Sequence, residues 1–272
     1  MIFKTKHLLV ITLISSKIFA SDRDADQSKS TDCGVIAAHQ FTSRNLREHY
    51  DSILVWYLDK LAVDKGIANH ADLRNVADYI NPTLNAGVAN GPIVEVGVGN
   101  GRVVDWLMQQ SKSLRYIGVE LSPAQTERLK TKYEKNASVM IVNNNILDFK
   151  MNEKSPLVLW MWSGFLELNP SEKDLGIKTV SNLQSTGGRL IIDLPSVIAG
   201  EKIIFKDDGF VENPYIKEGY KPFYGHLISD TELKKMANKH GYTLEAFLPY
   251  EVEAKDDKGN KIKRLSLVFK RR

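Results

Sequence analysis

The sequence predicts an α/β fold: a three-layer sandwich on a mostly parallel seven-stranded sheet, with N-terminal helices and a C-terminal antiparallel hairpin. Three observations carry this. From Gly91 onward, short apolar runs alternate with capped amphipathic segments, the pattern of successive βαβ units. A glycine-rich turn separates the first such run from the first such helix. The last two runs, Tyr242 to Val252 and Lys261 to Phe269, are joined by Asp256-Asp257-Lys258-Gly259-Asn260, which reads as a hairpin.

The chain has 272 residues, 43% hydrophobic and 26% charged, enough for one domain with a full core. Its first twenty residues stand apart. Lys4, Lys6 and His7 form a basic start, Leu8 to Ser16 is apolar, and Ile18-Phe19-Ala20 precedes a polar stretch. That is the pattern of a secretory signal peptide cut after Ala20, although Lys17 interrupts it. A cleaved leader implies a periplasmic or secreted protein; an uncleaved one implies a membrane anchor or a cytoplasmic chain. Losing Lys4, Lys6 and Lys17 would take the formal charge from +4 to +1, which argues against a nucleic-acid partner. Any membrane contact would run through that leader. The single cysteine, Cys33, can form neither an internal disulfide nor a metal cage, and no metal cluster is visible.

Residues 21–40 are polar and read as a flexible linker, and 41–90 as a helical segment ahead of the main domain at 91–272. From Ser43 to about Ala62, Leu46, Tyr50, Leu54, Tyr57, Leu58 and Leu61 fall on one helix face, where Tyr50 and Tyr57 could close a pocket from above. A second helix is expected over 70–80, capped by Asn69 and stopped by Asn81-Pro82. Strands follow at 93–96, 115–120, 137–142, 157–161 and 189–194. Between them lie helices at 102–110, after the Ser122-Pro123-x-Gln125 capping box, and after Asn169-Pro170-x-Glu172. Ser229 and Glu232 open the last helix, and Gly241 ends it. The cations and acids flanking the final turn read as a salt-laced edge hairpin.

The chemistry-bearing segment is Ile93-Val-Glu-Val-Gly-Val-Gly-Asn-Gly-Arg102. A strand runs into a turn that needs glycine, then into a helix. Gly97 and Gly99 admit backbone angles and a close ligand approach that side chains would block. Glu95 sits near the strand's carboxyl end. Glu120 ends the second strand, nineteen residues after Gly101, where an acid can accept from both hydroxyls of a ribose. A nicotinamide fingerprint would require a third glycine where Arg102 stands.

The pattern Glu95-x-Gly97-x-Gly99-x-Gly101 closely resembles motif I of the class I S-adenosylmethionine-dependent methyltransferases. The likeness extends over roughly 75–272. YIGVELSP (Tyr116–Pro123), VNNNILDF (Val142–Phe149), LVLWMWSGFLEL (Leu157–Leu168) and GGRLIIDLP (Gly187–Pro195) resemble that family's later segments. The resemblance implies a Rossmann-like fold with S-adenosylmethionine as cofactor. It implies that Glu95 and the Gly97–Gly101 backbone, Asn100 included, hold the methionine end. Glu120 would bind the ribose, and Leu121 would pack on adenine. Asn144 or Asn145 would meet the adenine amine, with Ile146 donating its backbone N–H. Asn stands where the family usually has Asp.

Methyl transfer from a sulfonium demands alignment more than a fixed catalytic side chain, so several candidates stand. Trp160, Trp162 and Ser163 follow the fourth strand, with core packing as the alternative for the tryptophans. Asp193, at the end of the fifth strand, is a base or a strand-end cap. The long aromatic connection from Val197 to Ile228 reads as a lid or a small β excursion, with His226 at its end. The first functional reading is methyl transfer to a small-molecule or protein acceptor. A non-catalytic nucleoside-binding or scaffold protein, and a nicotinamide oxidoreductase, are the alternatives.

Overall fold

The computed structural model describes residues 42–52, 69–162, 164–195, 210–212, 224–255 and 261–272. The expected leader at 1–20, the linker at 21–40, Tyr57, Ser163, Ser196 and the turn at 256–260 lie outside these residues.

Helix α1 (Ser43–Ser52) is followed by α2 (Ala71–Asn75), α3 (Ala77–Ala86) and a 3-10 turn at Gly87–Asn90. The main domain then runs β1 (Ile93–Val96), α4 (Arg102–Gln110), β2 (Tyr116–Glu120), α5 (Pro123–Tyr133), β3 (Val139–Asn143) and β4 (Ser155–Trp160). A second 3-10 turn at Gly164–Glu167 leads into α6 (Pro170–Leu183) and β5 (Gln184–Pro195). Last come β6 (Phe210–Glu212), β7 (Tyr224–His226), α7 (Asp230–Lys239), β8 (Tyr242–Lys255) and β9 (Lys261–Arg271).

The seven-stranded sheet has the order β3-β2-β1-β4-β5-β9-β8. The first five pair in parallel, and β9 runs antiparallel to both β5 and β8. Successive strand residues face opposite layers. Val94, Val96, Val158, Trp160 and Ile192 join one core cluster, and Ile93, Leu157, Leu159 and Ile191 the other. With both faces covered, these strands read as continuous apolar runs rather than alternating ones.

The capping signals act largely as read. Asn169 and Ser229 each head a complete capping box with Glu172 and Glu232. Ser122 accepts from the Gln125 backbone N–H at 3.2 Å, but the Gln125 side chain does not complete the box. The expectation that Asn81-Pro82 stops a helix is corrected: α3 carries Pro82 inside and continues to Ala86. Burial of Ile80 and Leu84, four residues apart on one face, holds the helix together across the proline. Arg264 also departs from the salt-laced edge. It is 1% exposed, and its guanidinium pairs with buried Asp193 across the sheet. In the long connection, β6 and β7 form a two-stranded antiparallel sheet, and β7 packs against the Gly164–Glu167 turn.

Candidate functional site

The strand order reverses beside β1, since β2 and β4 flank it, and a crevice opens there outside the strands' carboxyl ends. Its wall is built from α1 and the loops after β1, β2, β3 and β4.

The glycine turn assigns different work to each glycine. Gly97, Gly99 and Gly101 all have positive φ, at 74°, 57° and 84°. Among the described residues, a Cβ on Gly97 or Gly99 would meet nothing within 4 Å, and both glycines line the crevice. A Cβ on Gly101 would lie 2.4 Å from the Tyr133 hydroxyl. Gly101 is therefore a packing glycine against α5 and stands outside the crevice wall. Asn100 lines the wall, and its Oδ1 accepts from the Arg102 N–H at 3.2 Å. Arg102, at the position that would have to be glycine for a nicotinamide, donates to both carboxylate oxygens of Asp72 on α2, at 2.8 and 2.6 Å. Asp72 is fully buried, so this bidentate pair clamps the N-terminal helices to the glycine turn.

Glu120 ends β2 and is 5% exposed. Its Oε2 accepts from the Gly99 N–H and its Oε1 from the Ser122 N–H, both at 3.0 Å. Glu120 lines the crevice wall, where a carboxylate can accept from a hydroxyl donor. Burial raises its pKa, and backbone N–H groups pull the other way. Glu95 is deeper, 2% exposed, and accepts from the Tyr116 hydroxyl. Burial pushes its carboxyl up to about 8, against the Tyr116 hydrogen bond and the Arg102 charge.

In the loop after β3, Asn144, Asn145 and Ile146 line the crevice. Asn145 is already engaged: its Oδ1 accepts from Leu147 N–H at 3.0 Å, and its Nδ2 donates to Ser43 Oγ at 2.8 Å. Leu121, like Tyr50, packs against Leu46 of α1.

After β4, Trp160 is buried, edge-on to Phe165 at 5.0 Å between centroids, and tight against Gly176. It is core packing that also reaches the crevice wall. Trp162 takes a left-handed φ of 53°, rare for a bulky residue, and its buried indole Nε1 has no hydrogen-bond partner among the described residues. Arg264 stacks on its ring. Ser163 lies outside the described residues. Asp193 is fully buried in hydrogen bonds from Arg264 and from the Tyr250 hydroxyl, and it stands outside the crevice wall. Its neighbours make it the strand-end anchor of the two alternatives. His226, on β7, is also outside that wall.

Sequence reasoning missed three wall or near-wall groups. Glu167 lines the crevice, and its Oε1 accepts from the Tyr50 hydroxyl. Burial pushes its carboxyl up to about 8. An acid inside the otherwise apolar run Leu157–Leu168 was the available signal. Lys173 is fully buried behind it, with Nζ donating to the Leu166 and Leu168 carbonyls, and burial lowers its pKa to about 7. Gln125, read only as a cap, also lines the crevice.

These residues fit the cofactor that the glycine motif implies. Two glycines leave bare backbone for the methionine end, Glu95 stands by for an ammonium, and Glu120 keeps acceptor capacity for a ribose. The comparisons agree. A methyltransferase domain model matches residues 93–188. An uncharacterized methyltransferase of Geobacillus sp. (strain WCH70) is 25% identical over 183 residues, covering 62% of this chain and 77% of the relative. Among solved structures, an S-adenosylmethionine-dependent methyltransferase from Clostridium acetobutylicum superposes with a TM-score of 0.59 at 15% identity, covering 80% of this chain and 99% of that one. The glycopeptide N-methyltransferase MtfA, solved with S-adenosylmethionine, gives 0.52 at 12% identity, covering 72% and 86%. With the motif, the fold and these matches in agreement, the chain carries a methyltransferase domain at 93–188, and the findings together support a class I S-adenosylmethionine-dependent methyltransferase, an enzyme whose cofactor is S-adenosylmethionine.

Proposed function

We propose that this enzyme methylates a small acceptor presenting an amine, by in-line displacement. The observation that carries the reading is the Tyr50–Glu167 pair in the crevice wall. S-adenosylmethionine supplies a methyl group on a positively charged sulfur, so the protein's task is to align a nucleophile and take up its proton. Glu167 is a half-buried carboxyl that shares the crevice wall with the aromatic rings of Tyr50, Trp160 and Trp162. Such a wall favours a cationic or proton-donating guest over a carboxylate or phosphate. The nearby cations are engaged: Arg102 by Asp72, and Lys173 by two backbone carbonyls. A protonated amine hydrogen-bonded to the ionised form of Glu167 passes one proton to the carboxylate; the electron pair so freed forms the nitrogen–carbon bond as the methyl carbon–sulfur bond breaks and the sulfur leaves as a neutral thioether.

The test uses the full-length protein. Calorimetry with S-adenosylhomocysteine establishes cofactor-site occupancy. Transfer of tritiated methyl is then compared across benzylamine, benzyl alcohol and phenylacetate, together with a wider amine panel. Amine turnover that falls by about a hundredfold in Glu167→Gln, with S-adenosylhomocysteine affinity kept, supports the reading. Turnover of alcohols or acids in preference to every amine sinks it. The export leader is a separate proposal, resting on the Lys4–Ala20 pattern alone. N-terminal sequencing of the mature protein tests it, and an intact Met1 in a soluble fraction removes it.

A further inference from the structure

We infer that Gln125 is the residue that reads the amine edge of the cofactor's adenine. Gln125 is 1% exposed, and among the described residues neither its Oε1 nor its Nε2 has a hydrogen-bond partner. It nevertheless lines the crevice. A buried amide with both ends unspent is costly to keep unless something arrives to use it. Its backbone N–H is already bonded to the Ser122 cap, so the side chain has no capping work left.

Position selects the guest. Gln125 lies in the first turn of α5, which packs on α1, β2 and β3. The same crevice wall carries Leu121, Asn144 and Ile146. The family resemblance assigns adenine recognition to the Asn144–Asn145 loop, but both ends of the Asn145 amide are bound within the protein, to Leu147 and Ser43. The ribose is served by Glu120. What remains to be recognised is an edge with an amine donor beside a ring-nitrogen acceptor. A primary amide complements that pair, carbonyl to amine and N–H to ring nitrogen, in a bidentate contact. The inference rests on S-adenosylmethionine as cofactor and is independent of the acceptor.

The experiment compares two ligands by calorimetry: S-adenosylhomocysteine, and its analogue with hydrogen in place of the adenine 6-amino group. Wild-type protein is expected to prefer the amine-bearing ligand by about tenfold. In Gln125→Leu, and in the longer-chained Gln125→Met in case the first misfolds, that preference collapses to under about twofold. A preference kept intact in either folded variant overturns the inference, even if both affinities drop, because that pattern marks a structural role. So does the absence of any preference in wild type. If wild type binds neither ligand, the cofactor assignment itself falls; binding without discrimination defeats this inference alone.

Discussion

The guanidinium carbon of Arg264 lies 4.0 Å from the centre of the Trp162 ring, and the same guanidinium is ion-paired with Asp193. One buried cation thus joins the tip of β5, strand β9 and the left-handed residue after β4. Arg264→Met is expected to destabilise the protein by about 3–5 kcal/mol, because Asp193 is left charged and buried. Adding Asp193→Asn should recover most of that loss. Urea unfolding of wild type, both single variants and the double variant reads the coupling; strictly additive effects would refute it.

Gly99 and Gly101 should respond differently to alanine. Gly99→Ala strains a φ of 57° and puts its methyl into open crevice, so stability falls by only about 1–2 kcal/mol. Affinity for S-adenosylhomocysteine falls by about tenfold or more, as the backbone can no longer approach closely. Gly101→Ala drives its methyl against the Tyr133 hydroxyl, so the larger loss is in thermal stability. Melting curves and calorimetry on both variants separate the two effects.

Glu95 should make stability fall as pH rises. Its folded pKa of about 8 lies above the ordinary carboxyl value of 4.5, so between those values the folded state holds a proton that the unfolded chain releases. That contribution is present below the lower value and lost through the upper one, at about 1.4 kcal/mol per pH unit traversed. Glu95→Gln cannot ionise, so its stability relative to wild type should improve from pH 5 to pH 9. Binding has the opposite sign: an ammonium beside Glu95 favours the carboxylate. S-adenosylhomocysteine binding should therefore release protons at pH 7, and calorimetry in two buffers of different ionisation enthalpy counts them.

Glu120→Gln keeps the shape of the ribose-side acceptor but removes its charge. We expect S-adenosylhomocysteine to bind about 10–100-fold more weakly, the worth of a hydrogen bond to a charged group. The variant should stay folded, since Gln125 and Thr126 still start α5 on Ser122. Unchanged affinity would remove Glu120 from the binding site.

Most of the fold was legible because it is written in local signals. The caps at Ser122, Asn169 and Ser229, the glycine turn and the apolar runs each name an element without reference to the rest. Glu95 and Glu120 could be placed because strand ends and a switch point follow from the same pattern. What stayed hidden depends on tertiary contact. Nothing local says that Asp193 meets Arg264, seventy-one residues away in sequence. Nor does anything local distinguish Gly101, pressed on Tyr133, from Gly99, facing open space. Pro82 misled because propensity weighs one residue, whereas the burial of Ile80 and Leu84 weighs the whole face. The roles of Gln125 and Glu167 emerge only once α1 lies beside them.

Helix α1 is fastened at points that ring the crevice: Ser43 to Asn145 and Glu172, Asp51 to Ser122, and Tyr50 to Glu167. Two of these partners, Asn145 and Glu167, are wall residues, and Ser122 adjoins Leu121 of the wall. Were a spent cofactor to leave past this helix, these fastenings would have to open first. Where that opening is slower than the chemical step, the enzyme's pace is set by a hinge and not by a bond.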